Sequence, residues 1–344
     1  MKTRRRLPFV SSAVSIQPPS GPLRVLFFGT AEFAVPSLDA LIAAGHTVLA
    51  VVTQPDRPQG RGKQVVPSPV KRSAAARGLP VLQPRRVRAE SFIEQARALA
   101  PDVLALAAFG QIVPQALLDL PPLGPINVHG SLLPKYRGAA PIQRAIMAGE
   151  TEAGVTTMWM DATLDTGDML LARSAPIDPD DTAGTLTPRL AALGAELLVE
   201  TLRGLAAGTL PRRKQDDSLA TLAPAIKPED GYVEWGELAE EIRNRIRGVS
   251  PKPGAFTAFQ GRHLKILAVQ AAGESELAPG TVARISKNPA GIVVAAGGGT
   301  ALLVTDVQPE SRNRMPAADW ARGARIAPGS LFESLAGSRA EVAP

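Results

Sequence analysis

The first 150 residues alternate short, unbroken apolar runs with segments that have the spacing of amphipathic helices. Continuous apolar runs are typical of parallel strands that are covered on both faces. The pattern therefore predicts an α/β domain with a Rossmann-like, open, mostly parallel sheet. The predicted strands are residues 23–28, 47–52, 102–108 and 126–128, and the clearest predicted helices are residues 90–100 and 141–148.

The pattern changes beyond residue 205, where polar and turn-forming residues become frequent. The charged stretch at residues 211–217 and the two prolines and one glycine at residues 224–231 predict a linker, which we place at residues 211–230. An amphipathic helix is predicted at residues 237–247, with Arg243 and Arg247 pointing outward. Five short runs separated by turn residues then predict a small β-barrel of OB-like type. These runs are residues 255–259, 263–269, 280–285, 291–296 and 302–307.

These changes divide the chain into four parts. Residues 1–21 form an N-terminal extension, 22–210 the α/β domain, 211–230 the linker and 231–340 the β-barrel. The extension is rich in Arg and has no acidic residue, as organellar presequences do. Its apolar stretch is too short and broken for a secretory signal. We therefore expect a tail or a misplaced start codon rather than a targeting segment.

Composition narrows the classes of protein that fit. With 344 residues, 45% of them apolar, the chain is large enough to bury two cores. No apolar run reaches the roughly 18 residues of a membrane helix, so we expect a cytoplasmic monomer with no membrane partner. The chain has no Cys and only three scattered His residues, so no disulfide and no metal site are expected. Any chemistry must use His, carboxylates and amides.

Basic residues are concentrated in one part of the sequence. The formal net charge is +6, yet residues 53–90 alone carry nine Lys and Arg against two acidic residues, a local charge of +7. This distribution predicts a basic surface suited to phosphate groups, and Gly60 and Gly62 indicate a mobile loop within it. A solvated run of charges is the alternative. The nine basic residues are Arg57, Arg61, Lys63, Lys71, Arg72, Arg77, Arg85, Arg86 and Arg88.

Open parallel sheets bind ligands beyond the carboxyl ends of their strands. Two of the predicted strand ends say little about which ligand binds there. Residues 29–33 lack the second and third glycines of the dinucleotide fingerprint, so no NAD or flavin is expected. At the next end, Phe109, Gly110 and Ile112 offer an aromatic wall and free backbone groups for a flat ligand. Alone, this second segment is weak evidence for a site.

A third strand end places an amide and an imidazole together. Asn127 and His129 are two positions apart in an extended segment, so their side chains point to the same face. An amide N–H and a protonated imidazole can both donate to a developing oxyanion, which suits acyl transfer. His129 can also move a proton near neutral pH. A histidine with a purely structural hydrogen bond is the alternative at this position.

A turn at residues 164–168 presents two carboxylates, Asp165 and Asp168, after a predicted strand at residues 154–161. A carboxylate near His129 would orient the imidazole and stabilise its charged form. Spacing leaves that contact open. Turn chemistry, which favours Asp and Gly for backbone reasons, accounts for the same residues.

Residues 127–138, NVHGSLLPKYRG, and residues 164–168, LDTGD, resemble the signature of the folate-dependent formyltransferases. The resemblance implies the formyltransferase fold for the α/β domain and 10-formyltetrahydrofolate as the formyl donor. It implies that Asn127 and His129 stabilise a tetrahedral oxyanion while Asp165 supports His129. The expected folate contacts are Ser131, Leu132, Leu133 and Pro134, together with Phe109, Gly110 and Ile112 from the preceding strand end.

Further segments resemble the family members that act on charged initiator tRNA. These are residues 53–58, 60–63, 67–71 and 138–143. The acceptor implied is the α-amino group of methionine esterified to initiator tRNA, for translation initiation. The tRNA-engaging basic loop of those members corresponds to residues 55–71. The expected tRNA contacts there are Arg57, Arg61, Lys63 and Lys71, and weaker candidates in the C-terminal half are Arg243, Arg247, Lys252 and Arg262.

Two alternatives remain open from the sequence. In the first, the chemistry is the same but the acceptor is a small amine, such as glycinamide ribonucleotide or an amino sugar. The basic loop and the predicted barrel argue against it. In the second, the chain is a non-catalytic RNA-binding relative in which His129 is structural. The set of Asn127, His129 and Asp165 argues against that.

Overall fold

Two large β-sheets organise the chain. The computed structural model describes residues 21–59 and 64–335, so the predicted extension up to residue 20 and the loop residues Arg61 and Lys63 lie outside the described residues. The strands are β1 (Arg24–Gly29), β2 (Thr47–Val52), β3 (Arg57–Gln59), β4 (Gln64–Val66), β5 (Val81–Leu82), β6 (Val103–Ala107), β7 (Pro125–His129), β8 (Glu152–Trp159), β9 (Met169–Pro176), β10 (Ala255–Phe259), β11 (Arg262–Glu274), β12 (Val282–Lys287), β13 (Ala290–Ala295), β14 (Thr300–Pro309), β15 (Met315–Pro316) and β16 (Phe332–Glu333). The helices are α1 (Val35–Ala43), α2 (Pro69–Ala76), α3 (Glu90–Ala98), α4 (Gln115–Leu118), α5 (Pro141–Met147), α6 (Ala183–Ala206), α7 (Ala239–Gly248) and α8 (Ala317–Gly323).

The N-terminal sheet has the strand order β5-β2-β1-β6-β7-β8-β9. The first five of these strands are parallel, and β8 and β9 extend the sheet in antiparallel fashion. The chain leaves β1 toward β2 on one side and later returns to β6 on the other, so the order reverses at β1. A reversal of this kind opens a crevice for ligands at the carboxyl ends of the central strands. The predicted Rossmann-like, mostly parallel sheet is confirmed.

The central strands are apolar throughout because helices cover both faces of the sheet. In β1, Phe27 packs in the cluster that contains Leu38 of α1, whereas the next residue, Phe28, packs on the opposite side with Phe92 of α3. Both Phe side chains are fully buried. Successive residues of a strand point to opposite faces. When both faces are buried, the residues on both must be apolar, so the sequence does not alternate between apolar and polar residues.

The C-terminal sheet closes on itself. Its strands are antiparallel in the order β12-β13-β14-β11-β10-β16, with β15 paired to β14. Backbone hydrogen bonds then join the two ends of this order, from Phe332 N to Gly280 O and from Val282 N to Ser330 O, each 2.8 Å long. Trp235 fills the interior and stacks on Phe332 with ring centroids 5.8 Å apart. The predicted small β-barrel is confirmed.

The predicted direction of two arginines on α7 is wrong. Instead of pointing into solvent, Arg243 donates to the carbonyl oxygen of Pro179 and to the carboxylate of Asp180. Arg247 donates to the carbonyl oxygen of Asp181 at 3.0 Å. The loop after β9 presents these acceptors to α7, so the polar side of the helix faces the α/β domain. Periodicity alone could not show this, because it separates polar from apolar faces and not solvent from a polar neighbour.

Residues 211–230, predicted as a linker, connect the two sheets but are packed against the α/β domain. Arg144 of α5 binds both carboxylate oxygens of Asp230 at 2.9 Å. Near the start of the segment, Gln215 is only 5% exposed. Burial would raise the pKa of Asp230, but the hydrogen bonds from Arg144 and the Lys227 backbone outweigh it, and the pKa lies below its ordinary value of 3.8.

Asp230→Asn should lower the free energy of unfolding at pH 7 by about 1–2 kcal/mol, because a charge-assisted pair with limited solvent access is lost. A carboxyl with a lowered folded pKa stabilises the fold above its unfolded pKa, and this contribution disappears as the pH falls through the folded pKa. The difference between wild type and variant should therefore shrink below pH ~4. Denaturant unfolding at several pH values measures it.

Asp319→Asn provides the matched control. Asp319 pairs with Arg322 at 2.6 Å, but both side chains are more than half exposed, at 53% and 74%. Exposed pairs of this kind contribute little, so this variant should unfold like the wild type at every pH. A pH-independent difference for Asp230→Asn would show that its carboxylate charge does not stabilise the contact between residues 211–230 and the α/β domain.

Candidate active site

Strand β7 presents Asn127 and His129 on one face of the sheet. Ile126 and Val128 point the other way, into the core beneath α6. His129 is 5% exposed, whereas Asn127 is half-buried. Within the described ranges, no group forms a hydrogen bond with the Asn127 amide. The strand therefore holds a buried imidazole beside an amide whose donor is free for a ligand, as the spacing predicts.

The imidazole of His129 is anchored by a hydrogen bond at Nε2, and its Nδ1 faces Asp165. Its Nε2 lies 2.9 Å from the carbonyl oxygen of Tyr136. A carbonyl oxygen can only accept, so the proton of the neutral ring lies on Nε2. This leaves Nδ1 without a proton in the neutral form, and Nδ1 lies 3.6 Å from Oδ2 of Asp165. The nitrogen that can take up a proton is thus the one that faces a carboxylate.

Asp165 reaches His129 because the turn between β8 and β9 folds back over this face. Its backbone has a φ of +54°, and its Oδ2 accepts a hydrogen bond of 2.9 Å from the N–H of Gly138. A second residue of the turn, Gly167, passes so close to β8 that a Cβ there would lie 1.8 Å from the carbonyl oxygen of Trp159. Among the described residues, His129 forms an ion pair with Asp165 and none with Asp168, whose backbone carbonyl accepts from the Trp159 N–H. The contact that sequence spacing left open is therefore present for Asp165.

The loop that carries Tyr136 is itself fixed. Tyr136 has a φ of +61°, and its hydroxyl donates to Oε1 of Glu150 at 2.8 Å. Burial raises the pKa of the Tyr136 hydroxyl, and the carboxylate of Glu150 adds to this effect, so the hydroxyl keeps its proton and remains a donor. The carbonyl that orients His129 consequently has a defined position.

Comparison with known proteins agrees with this geometry. A sequence model of the formyl transferase family matches residues 23–202, and a model of the formyl transferase C-terminal domain matches residues 225–325. The chain belongs to the formyl transferase family. The first match covers all strands of the N-terminal sheet, and the second covers the strands of the C-terminal sheet from β10 to β15.

Within the family, the similarity to methionyl-tRNA formyltransferases spans nearly the whole of those proteins. The chain is 50% identical to the methionyl-tRNA formyltransferase of Geotalea uraniireducens over 310 residues, which covers 90% of this chain and 98% of that protein. It is 53% identical to the methionyl-tRNA formyltransferase of Solibacter usitatus, with 88% of this chain and 96% of that protein covered.

Solved structures of more distant proteins share the fold. The N-formyltransferase of Helicobacter canadensis has a TM-score of 0.61 and 19% identity, with 83% of this chain and 99% of that chain covered. HypX of Aquifex aeolicus has a TM-score of 0.60 and 17% identity, with 88% of this chain covered. The match spans 47% of the HypX chain, about half of its length. Similarity at these identities shows the formyl transferase fold alone.

The predicted folate-contacting stretch, residues 131–134, is largely committed to internal contacts. The hydroxyl of Ser131 donates to the carbonyl oxygen of Lys135 at 2.6 Å, and the N–H of Leu133 donates to the hydroxyl of Thr156. Leu132 and Pro134 are half-buried. These contacts shape a rigid rim beside His129. Folate binding by the four residues stays a prediction.

The predicted aromatic wall at Phe109 is wrong. Its ring is 5% exposed and packs edge-on against Phe28, with centroids 5.3 Å apart. The carbonyl oxygens of Phe109 and Gly110 both accept from the side-chain amide of Gln54 at 2.9 Å. Ile112, by contrast, is 84% exposed. A ligand at this strand end would meet an exposed aliphatic side chain and backbone groups rather than an aromatic ring.

The base of the predicted tRNA loop is an internal network. Lys71 donates to Asp56 at 2.5 Å and to Gln83 at 2.8 Å. The hydrogen bonds from Lys71 and Gln83 hold the pKa of Asp56 below its ordinary value. Arg57 is exposed and donates to Gln54, which links the loop to the Phe109 strand end. Lys71 is therefore occupied inside the protein, while Arg57 remains open to solvent.

Sequence reasoning did not find the loop groups that position the pair of His129 and Asp165. Tyr136 and Gly138 lie within the recognised motif but act through backbone atoms, which residue types do not reveal. Gln215 lies in a polar stretch whose composition indicates a solvated linker. In the described parts of the chain, no group of three or more His, Cys, Asp or Glu residues could hold a metal ion.

Gly167→Ala should lower kcat for formyl transfer by about 100-fold. The added Cβ would overlap the Trp159 carbonyl oxygen, so the turn must move and Asp165 must leave its position. Displacements of about 1 Å in a catalytic group have effects of this size. Steady-state kinetics with both substrates saturating measures the loss.

Gly236→Ala is the matched control, because no atom lies within 4 Å of the added Cβ and the backbone needs no positive φ. It should retain wild-type kcat. If Gly167→Ala also retained it, with an unchanged thermal midpoint, the position of the 164–168 turn would not control turnover.

Proposed function

We propose that the chain transfers the formyl group of 10-formyltetrahydrofolate to the α-amino group of methionine carried by initiator tRNA. The observation that carries this proposal is the identity of about 50% with methionyl-tRNA formyltransferases, which extends through both domains and covers 96% or more of those proteins. The geometry at His129 supports it, because it supplies the groups that acyl transfer needs. We also propose that the enzyme works in the cytoplasm and as a monomer. Closure of its barrel within one chain supports the monomer.

The proposed mechanism assigns one task to each side chain. The neutral amine attacks the formyl carbon, and the Asn127 amide and a protonated Nδ1 of His129 donate to the oxygen that becomes negative. As the tetrahedral intermediate breaks down, the bond between the formyl carbon and N10 of the folate is cleaved. The amine loses one proton and N10 gains one. Nδ1 of His129 can pass its proton to N10 and take one from the amine, because Nε2 is engaged with Tyr136.

The exposed part of the basic loop is proposed to bind the acceptor end of the tRNA. Arg57 is available for phosphate contacts, and we extend this role to Arg61 and Lys63 from the family resemblance. Lys71 is proposed to hold the base of the loop through Asp56 rather than to contact phosphate. Phosphate contacts of this kind position a nucleic acid without reading its sequence.

A comparison of acceptors tests the proposal directly. The enzyme is given 10-formyltetrahydrofolate with charged initiator tRNA, charged elongator tRNA, free methionine or glycinamide ribonucleotide. We expect the largest kcat/KM with the charged initiator tRNA. Equal rates with tRNA-bound and free methionine would exclude tRNA as the recognised carrier, and preference for the ribonucleotide would support the small-amine alternative.

Substitution of the two oxyanion donors tests the mechanism. Asn127→Ala and His129→Ala should each lower kcat by about 100- to 1000-fold, as the loss of a donor to a developing oxyanion does. The affinity for initiator tRNA should change by less than about twofold, because neither side chain is proposed to bind the tRNA body. Formylation kinetics and fluorescence anisotropy measure the two quantities.

Asn313→Ala serves as a control, because Asn313 is exposed in the loop between β14 and β15, far along the chain from the proposed chemistry. It should behave like the wild type in both assays. Full turnover in His129→Ala would remove this mechanism. Binding of initiator tRNA by the wild type without any formylation would favour the non-catalytic RNA-binding alternative.

A further inference from the structure

The segment between the two domains forms a strap, residues 213–223, across the loops that carry the catalytic groups. At one end, Arg213 exchanges backbone hydrogen bonds of 2.8 and 2.9 Å with Met169 at the start of β9. At the other end, the N–H of Arg137 donates to the Thr221 carbonyl oxygen, and the N–H of Ala223 donates to the Arg137 carbonyl oxygen. The strap thus spans from the 164–168 turn to the 136–138 loop.

Gln215 is the buried polar residue of the strap, and its side-chain amide uses its full hydrogen-bonding capacity. Its Nε2 donates to the carbonyl oxygens of Asp165 and Gly167, each at 2.8 Å. Its Oε1 accepts from Nε and Nη2 of Arg137 at 3.0 and 2.9 Å. Two donated and two accepted bonds satisfy every site of a primary amide.

The orientation of this amide follows from its partners. The guanidinium of Arg137 has only donors, so the atom of Gln215 that faces it must be the oxygen. The amide nitrogen must then face the turn, where both neighbours are carbonyl oxygens that can only accept. Arg137 is 7% exposed, so its side chain has little solvent to turn toward. The arrangement allows a single orientation of the amide.

The contacts matter because the turn at residues 164–168 supplies no hydrogen-bond donor to two of its own carbonyl oxygens. Asp165 lies in the left-handed region, which is strained for residues other than glycine by about 1–2 kcal/mol. Within the part of the chain that the structure describes, Gln215 is the one donor to the carbonyl oxygens of Asp165 and Gly167. Without it, two partly buried carbonyl groups lose their partners. The turn would relax, and the Asp165 carboxylate would move away from His129.

The strap also contacts the loop that holds His129, the partner of Asp165. The hydroxyl of Thr221 accepts from the backbone N–H of Tyr136 at 2.8 Å. Tyr136 is the residue whose carbonyl holds Nε2 of His129. One short segment therefore fixes the backbones on both sides of the contact between His129 and Asp165.

We propose that Gln215 is a positioning residue for formyl transfer, which holds the Asp165 turn against His129 and makes turnover depend on the segment between the domains. Arg137 acts with it by fixing the orientation of the amide. This inference rests on the proposed function, since it assigns a role in that reaction. Gln215 is buried and its amide is engaged entirely by the protein, so we expect its effect on kcat and not on binding.

Two substitutions separate the donated bonds from the other properties of the side chain. Gln215→Glu keeps the shape and the acceptor for Arg137 but removes both donations to the turn. Gln215→Met removes the hydrogen bonds without adding charge. Each should lower kcat by about 10- to 100-fold, with KM for both substrates and the tRNA dissociation constant within about threefold of wild type.

Asp217→Asn is the matched control on the same network. Asp217 pairs with Nη2 of Arg137 at 2.7 Å, but its side chain is 75% exposed, and the amide oxygen of Asn replaces the acceptor. It should retain kcat within about twofold. A loss in Gln215→Glu alone, with wild-type kcat in Gln215→Met, would mean that the added charge is responsible, and the positioning role would be wrong.

A double-substitution cycle distinguishes positioning from general structural support. If Gln215 acts through Asp165, then Gln215→Glu should lower kcat by no more than about twofold in an Asp165→Asn background. A further loss of 10-fold or more in that background would overturn the proposal, because it would show an independent effect. If the Gln215→Met variant folds, a further loss of 10-fold or more on adding it to Asp165→Asn would overturn the proposal equally.

The wild-type assay separates this proposal from the proposed function. Failure of the wild type to formylate charged initiator tRNA overturns the function, and the cycle is then run with whichever amine the acceptor comparison identifies. Wild-type formylation together with unchanged kcat in both Gln215 variants overturns the positioning role alone.

Discussion

The approach of Asp165 to His129 is the contact on which the rest of the site depends. It brings a carboxylate to an imidazole that has almost no access to water, and a group removed from water needs compensating partners. The Gly138 N–H supplies one to the carboxylate, and the Tyr136 carbonyl supplies one to the imidazole. A single short loop thus satisfies both sides of the pair. Its conformation, and not the two side chains alone, determines whether the pair forms.

The sheet explains why these groups can be held so firmly. Strand β7 is flanked by the parallel strand β6 and the antiparallel strand β8, so its backbone is paired on both sides. Ile126 and Val128 anchor it in the core beneath α6, which fixes the direction of the residues between and after them. The antiparallel pair of β8 and β9 places a connecting turn over the open face. A purely parallel sheet would need a longer crossover there and could not bring a carboxylate back so directly.

The sequence predicted the parts of the molecule whose burial follows from local pattern. The apolar run at residues 47–52 coincides with β2, and the two-residue spacing of Asn127 and His129 correctly placed them on one face. Errors occurred where a side chain's surroundings come from distant segments. Phe109 follows a buried strand and turns inward because Phe28 offers it an edge-on contact. Arg247 has the spacing of an outward residue, but a loop of the other domain supplies carbonyl acceptors for it.

The same reasoning explains why Gln215 looked like part of a solvated linker. Helices and strands satisfy their own backbone groups, whereas an irregular turn with a left-handed residue leaves carbonyl oxygens that need donors from elsewhere. A polar side chain from a remote segment is suited to supply them, and such segments have the composition of linkers. Hydropathy therefore cannot separate a polar residue that is solvated from one that completes a turn. Only the three-dimensional path of the chain, which brings Gln215 to Asp165 across 50 residues, makes that distinction.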